Sequence, residues 1–579
     1  MDRAAIEKFA VSARTQLISE VEQRLFELGL SRKNIASGSI PSSFELELTN
    51  GKLLCEDWKE KRERLVRELG DNRYDQVVEQ TAYTWFNRFV AIRFMEVNGY
   101  LPSGIRVMSS AGADPKDARI KTDIMRHATS APLHIDPDRA RELRMAGDDE
   151  GLYKYLLMAQ FRELSHALPF LFDTIEDWTE LLFPRNMLSE GSVVRRMVAE
   201  IPEEDWLDHV EIVGWLYQYY ISEKKDEVYG GFKKGKKATK DDIPSATQLF
   251  TPNWIVRYMV DNSLGRLWLE SRPESKLREK MEYYIDEAEQ DPKVRAELDK
   301  LTKKNIDPRE ITFIDPACGS GHILVYAFDL LYEMYLEAGY PASSIPTMIL
   351  ENNLYGLDID ERAVQLASFA LLMRARSKDP QILSKGILPN VLAIEESNKI
   401  SPGIIDLLVD SRVNPDKQEQ QRQDLRYLLQ VFKDAKEYGS LIRVDDVTFE
   451  WLPEAIAWAI EKAEGGRPGS PELDAPTIKQ QMNAVSHLAR QAKIMGGKYD
   501  VVVTNPPYMY RRNMNHTLKE YLKSTYGASG SDLFACFMEQ CMHSTEASGF
   551  TAMITQHSWM FLSSLEGLRK TIVLDKTIY

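Results

Sequence analysis

Residues 311–330, "ITFIDPACGSGHILVYAFDL", join a short apolar run to an amphipathic one through a turn holding two glycines. A run apolar on both faces is stable only inside a sheet covered on both sides, and the turn must then deliver the chain to a helix packed on that sheet. The spacing predicts a strand over 311–315 and a helix from His322, stopped at Gly339 and Pro341. The alternation recurs. Residues 354–359, "LYGLDI", read as a second strand, and Asp360 can cap the helix "ERAVQLASFALLMRAR". "YDVVVT" (499–504) and "GFTAMIT" (549–555) read as later strands. Strands alternating with helices predict an α/β class with a doubly wound parallel sheet, beginning near residue 246.

Before that point helical spacing dominates, so residues 1–245 are expected to form an all-helical N-terminal domain. "YDQVVEQTAYTWFNRFVAIRFMEVNGY" carries Val77, Val78, Ala82, Trp85, Phe86, Phe89, Val90 and Ile92 at helical spacings and ends at Gly99. "YLLMAQFRELSHALPFLF" and "WLDHVEIVGWLYQYYISE" behave alike. "EDWKEKRERL" reads as the charged face of a helix, not as part of a nuclease motif. A chain of 579 residues exceeds a single core. A helical insertion is expected over about 400–490, its pieces joined by the linker "GGRPGSPELDAP".

Several classes are excluded on composition. No window approaches the ~20 apolar residues of a membrane span, and the charged amphipathic N-terminus lacks the pattern of a signal peptide. The four cysteines, Cys55, Cys318, Cys536 and Cys541, are too scattered for a disulfide framework or a zinc site. A reducing cytoplasm is the expected location, without membrane or metal. The net charge of −15 argues against a generic nucleic-acid binder. Residues 222–242 depart from that balance: Lys233, Lys234, Lys236 and Lys237 cluster around glycines and read as a mobile basic loop able to track phosphates, or as an ordinary solvated surface.

The turn "DPACGSGH" stands where a doubly wound sheet binds its ligand, between the first strand and first helix. Gly319 and Gly321 permit positive φ and close approach of a ligand. It is neither a Walker loop nor a G-x-G-x-x-G fingerprint. Asp358, ending the next strand, can accept both hydroxyls of a ribose.

Here the chain resembles a known class. "FIDPACGSGH" is similar to the first motif of S-adenosylmethionine-dependent methyltransferases, "LYGLDID" to the second, and "NPPY" (505–508) to the catalytic motif of amino-group methyltransferases. "TQLFTPNWIVRYMV" (247–260) resembles the Phe-Thr-Pro motif that precedes the cofactor loop in the gamma ordering class of DNA adenine methyltransferases. Together with "TAYTWFNRFVAIRFMEVNGYLP" and the run from "YQYYISEKK", these motifs resemble the adenine-specific DNA methyltransferases of BREX phage-defence systems along nearly the whole chain. The resemblance implies a Rossmann-like domain over 246–579 that binds S-adenosyl-L-methionine and acts on double-stranded DNA, alone or with other BREX proteins. It implies that Phe250 and Thr251 help hold the methionine end of the cofactor, with Asp315, Pro316, Ala317, Gly319, Gly321, Asp358, Ile359 and Asn505 also around it. Glu395 or Glu396 is expected beside the cofactor adenine, and Asp532 either near the cofactor or as a helix cap. The family's target-reading region is expected beyond residue 579.

The chemistry of Asn505, Pro506, Pro507 and Tyr508 follows from residue type. An exocyclic amino nitrogen conjugated to a ring is a poor nucleophile. Two acceptors on its protons draw it toward a tetrahedral shape. The Asn505 side-chain oxygen supplies one acceptor and the Pro506 carbonyl the other, held in place because Pro507 restricts Pro506 to extended backbone. Tyr508 offers a stacking face to a base flipped from the duplex. No cysteine stands where cytosine-C5 methylation needs one. Asn rather than Ser at 505 favours adenine N6 over cytosine N4 by resemblance. Two alternatives stay open: an N-methyltransferase acting on release-factor glutamine or ribosomal guanine, and a cofactor-binding, DNA-docking subunit without turnover of its own.

Overall fold

The computed structural model describes all residues except 38–39, 41–55, 71–73, 115–116, 118–120, 130–132, 173–177, 410–411, 446–447, 465–474, 577 and 579. Cys55 and most of the linker "GGRPGSPELDAP" lie outside the described residues. The chain divides into two compact units: residues 1–223 with 368–388, and residues 224–367 with 389–579.

The first unit is helical among its described residues. Its long helices, Arg3–Glu27 and Tyr74–Val97, bury aromatic and aliphatic side chains along most of their length. In the second helix Trp85, Phe86, Phe89 and Ile92 are almost fully buried. Helix Tyr74–Val97 ends where the sequence predicts, with Gly99 at a φ of 67°.

The second unit is built on a five-stranded sheet. Its strands are β1 (Phe313–Asp315), β2 (Leu354–Asp358), β3 (Asn390–Ala393), β4 (Tyr499–Thr504) and β5 (Thr545–Met553), in the order β3-β2-β1-β4-β5. Every pairing is parallel. The order reverses between β1 and β4, so a crevice opens at their C-terminal ends. Helices cover both faces. On one, Ile314, Leu357 and Val502 join a core with Val485 and Leu488 of helix Ala475–Gly496 and Phe537 of helix Leu533–Ser544. On the other, helix His322–Glu337 approaches so closely that a Cβ on Gly356 of β2 would lie 2.8 Å from Leu324 Cδ1.

Strand limits differ modestly from the sequence expectation. β4 spans the Val-rich run as read, whereas β5 begins at Thr545, four residues before Gly549. The early start has a pairing cause: the β4–β5 register shifts between Tyr499 and Val501, which lets Thr545 partner Tyr499. Over 404–496, described helices include Ile404–Leu408, Pro415–Val431, Leu452–Glu464 and Ala475–Gly496. The basic stretch is not a loop throughout. Residues Ser222–Lys233 form a helix carrying both Gly230 and Gly231, anchored by buried Val228 and by Lys225 Nζ donating to the Gln248 carbonyl at 2.7 Å. Tertiary anchorage there outweighs the low helix propensity of glycine.

Candidate functional site

Four strand ends deliver polar groups to one edge of the sheet: Asp315 from β1, Asp358 from β2, Asn505 just past β4 and Ile554 just past β5. Parallel strands force this convergence, since every strand finishes on the same side.

The glycine turn is held by the acid that ends β2. Gly319 N–H donates to Asp358 Oδ2 at 2.8 Å, and Asp360 N–H donates to Oδ1 at 2.8 Å. Cys318 N–H donates to the Leu357 carbonyl at 2.9 Å, extending the link between β2 and the turn. Gly319 adopts a φ of 52°, and a Cβ there would meet nothing within 4 Å, so the turn faces open space. Gly321 differs. At a φ of 83° it precedes helix His322–Glu337, and a Cβ would come within 2.8 Å of the Ala367 Cβ. One glycine keeps a cleft open; the other lets two helices approach.

Desolvation raises the Asp358 carboxyl to about 6, against the stabilising pull of the Asp360 and Gly319 N–H groups. Its side chain nevertheless keeps partial exposure. Asp315 is 1% exposed, and desolvation raises it to about 7 while the Thr504 hydroxyl and the Ala317 N–H partly offset the cost. Ala317 N–H lies 3.1 Å from Asp315 Oδ1.

The Asn505 amide has a defined orientation. Its Nδ2 donates to Thr251 Oγ1 at 3.2 Å, and Thr251 is buried. Tyr508 Oη lies 2.8 Å from the Ile554 carbonyl and 3.1 Å from Asn505 Oδ1. An amide oxygen has two lone pairs, which leaves Oδ1 capacity for another donor. Among the described residues none donates to the Pro506 carbonyl. Burial raises the Tyr508 phenol to about 12, so it stays protonated.

A second support braces the loop after Tyr508. Asp532, 3% exposed, accepts from Met509 N–H at 3.2 Å and caps helix Leu533–Ser544 through Phe534 N–H at 3.4 Å. Leu533 N–H returns a bond to the Met509 carbonyl at 3.2 Å, and Arg511 N–H one to Ser531 at 3.1 Å. Asp532 therefore does cap the helix, and it also ties the loop after Tyr508 to it. Desolvation raises its carboxyl to about 6.

Other expected residues fall nearby with distinct surroundings. The Phe250 ring stacks on His322, the first residue of its helix, with centroids 4.7 Å apart. Glu395 N–H donates to Gln491 Oε1 at 2.8 Å, while its own side chain is exposed. Glu396 pairs with Lys240 at 3.2 Å. Cys318 is buried beside Gly356, and burial pushes its thiol up, as for a packing residue. The turn at residues 439–441 was not foreseen: Ser440 Oγ donates to the Pro316 carbonyl, and Gly439, with a φ of 58°, approaches Ile359. No sequence pattern marks a serine that acts only through tertiary proximity. Among the described residues no cluster of ligating side chains could hold a metal ion, and no helix is long and apolar enough to cross a membrane.

Comparison with known proteins agrees with the motifs. Residues 352–579 match the Eco57I restriction-modification methylase family. The whole chain is 40% identical to 48% of the adenine-specific methyltransferase BrxX of Escherichia coli O9:H4 (strain HS). Over 98% of its length it is 38% identical to 48% of the adenine-specific methyltransferase PglX of Lacticaseibacillus casei (strain Zhang). The chain thus spans about half the length of the curated relatives it matches. Among solved structures, a DrdV–DNA complex aligns over 98% of this chain and 37% of that one, at 12% identity and a TM-score of 0.35. Along nearly its whole length the chain is similar to about half of the adenine-specific methyltransferases BrxX and PglX, and its residues 352–579 match the Eco57I restriction-modification methylase family.

Proposed function

We propose that this chain is the methyl-transferring half of a site-specific DNA adenine-N6 methyltransferase with a Rossmann-like catalytic domain, using S-adenosyl-L-methionine and marking host DNA within a BREX defence system. The observation that carries the reading is the pair of acceptors, Asn505 Oδ1 and the Pro506 carbonyl, set at the sheet edge that also bears the glycine turn and Asp358.

The residues present fit the cofactor. The open turn at Gly319 accommodates a ligand against backbone, Asp358 is partly exposed for hydroxyls of a ribose, and Asp315 supplies a buried negative charge near a cationic group. Phe250, Pro316, Ala317, Gly321 and Ile359 would complete its surroundings, with Glu395 at the adenine end. When bound, the cofactor supplies an electrophilic methyl group on a sulfonium.

The chain's own part is positioning. Tyr508 stacks on the flipped adenine, and its hydroxyl stays anchored to Ile554. Asn505 Oδ1 and the Pro506 carbonyl accept the two amino hydrogens, so the nitrogen lone pair turns toward the methyl group. Because Thr251 fixes the Asn505 amide and Asp532 fixes Met509 in the same loop beforehand, little reorganisation accompanies the reaction.

Incubating the protein with duplex DNA and isotopically labelled cofactor, then analysing nucleosides, tests the proposal. Label in N6-methyladenine supports it; label confined to N4-methylcytosine, RNA or protein glutamine overturns it. Genome-wide mapping of N6-methyladenine with and without the gene extends the test to the host.

A further inference from the structure

We infer that the exposed cations of residues 233–237, together with Arg511 and Arg512, form one platform that holds the phosphates of a DNA duplex beside the Asn505–Tyr508 loop; this rests on the DNA-methyltransferase reading. The two groups are far apart in sequence and joined in space. Lys237 Nζ donates to the Arg512 carbonyl, and Ala238 N–H donates to the Asn513 carbonyl at 2.9 Å. Ala238 is buried while Lys233, Lys234, Lys236, Lys237, Arg511 and Arg512 are exposed.

The segment is ordered. Helix Ser222–Lys233 closes through Lys234 and Lys236 N–H groups donating to the Gly231 carbonyl at 3.0 and 3.1 Å, around Gly235 at a φ of 82°. Fixed cations cost less entropy to engage a ligand than cations on a loose loop. Their charges are also uncompensated. Lys224 and Lys240 flank the segment and pair with Glu227 and Glu396. Among the described residues none of the six platform cations has an acid within ion-pair distance.

In a chain of net charge −15 that local exception decides where a polyanion can approach. At physiological salt the Debye length is about 8 Å, so distant acids barely offset it. The platform also adjoins the base-handling loop. Tyr510, 48% exposed, sits beneath the Arg512 guanidinium at 5.6 Å and bridges to Asp532. Arg512 follows Tyr508 by four residues, at most roughly 14 Å of chain. A nucleotide flipped onto Tyr508 leaves its neighbouring phosphates within that reach.

The test compares two variants of the full chain, Lys233→Gln/Lys234→Gln/Lys236→Gln and Arg511→Gln/Arg512→Gln, with a control, Lys293→Gln/Lys300→Gln, on the exposed helix Pro292–Leu301. Lys237 is kept because its ammonium also holds the Arg512 carbonyl. Fluorescence anisotropy on duplex DNA across a salt series reads affinity and slope, and calorimetry reads cofactor affinity. Each lost phosphate contact should lower the slope of log affinity against log salt by about 0.9. Both platform variants should lose affinity at least about tenfold, with cofactor affinity retained and the control unchanged. Unchanged affinity and slope in both variants, while the unaltered chain still methylates the duplex, overturn the platform alone. Equal losses in the control reduce the effect to net charge and overturn it too. An unaltered chain that binds cofactor but neither binds nor methylates duplex overturns the methyltransferase reading and the platform with it.

Discussion

Thr251 Oγ1 accepts a hydrogen bond from Asn505 Nδ2 at 3.2 Å, joining residues 254 positions apart. A planar amide has one orientation once its nitrogen is bonded, so this contact fixes which way Asn505 Oδ1 faces. In the proposed reaction Thr251 is a positioning residue. Thr251→Val keeps the shape and removes the acceptor, so the half-buried Asn505 Nδ2 loses a hydrogen bond worth about 0.5–1.5 kcal/mol. The expected result is a fall in kcat of up to about tenfold, with KM for DNA little altered and activity restored in Thr251→Ser. Loss in Thr251→Ser equal to that in Thr251→Val would show that the hydroxyl is not what matters.

Asn505→Ala removes one of the two preorganised acceptors, for which losses of about 10²–10³ in kcat are typical. Cofactor affinity, measured by calorimetry, should survive. If Asn505→Ala instead abolished cofactor binding and left residual turnover at saturating cofactor intact, the acceptor role would be wrong.

Tyr508 separates two contributions. Tyr508→Ala loses the stacking face, worth about 1–3 kcal/mol per base, and should raise KM for DNA and depress turnover together. Tyr508→Phe keeps that face and removes only the hydroxyl, with its contacts to the Ile554 carbonyl and to Asn505 Oδ1. It should retain most activity, which steady-state kinetics on duplex substrate can check.

Asp358 braces the glycine turn through Gly319 while keeping partial exposure. Asp358→Ala should weaken cofactor binding at least about tenfold, the loss of one charge-assisted hydrogen bond. Calorimetric titration with the cofactor or its demethylated product reads this directly, and an unchanged affinity would remove Asp358 from the site.

The desolvated carboxyls give the ligand-free protein a pH signature of definite sign. Asp315 is raised to about 7, and Asp358 and Asp532 to about 6. Each stays protonated in the folded state over a range where the unfolded chain has already lost the proton. Their contribution is therefore complete below the ordinary carboxylate range and declines as pH rises toward 7, by at most roughly 1.4 kcal/mol per pH unit for each group. Thermal unfolding of the wild type and Asp315→Asn between pH 5 and 8 should show the stability difference shifting in the variant's favour as pH rises. A difference independent of pH would contradict it.

Much of the second unit is legible in the residues. Val501–Thr504 can only be a buried strand, and the glycine turn after Asp315 announces a ligand edge, because such local patterns depend on backbone pairing and side-chain alternation alone. β5 is less legible. Glu546, Ala547 and Ser548 are poor strand formers, and they fall in the register shift between the Tyr499–Thr545 and Val501–Phe550 pairs, so only the residues on either side of them are paired. The basic stretch misleads for a similar reason: glycines and lysines imply a loop, while Val228 and Lys225 anchor a helix.

By itself the sequence determined four of the five strands, the two positive-φ glycines, and the Asn505–Tyr508 turn that ends β4, all of which follow from chemistry confined to a few neighbouring residues. Only the tertiary structure decided that Thr251 orients Asn505, that Asp532 braces the loop after Tyr508, that Ser440 reaches Pro316, and that Lys237 meets Arg512. Those relations join positions tens to hundreds of residues apart. They exist because a parallel sheet gathers its strand ends at one edge, where no local pattern can specify the neighbour.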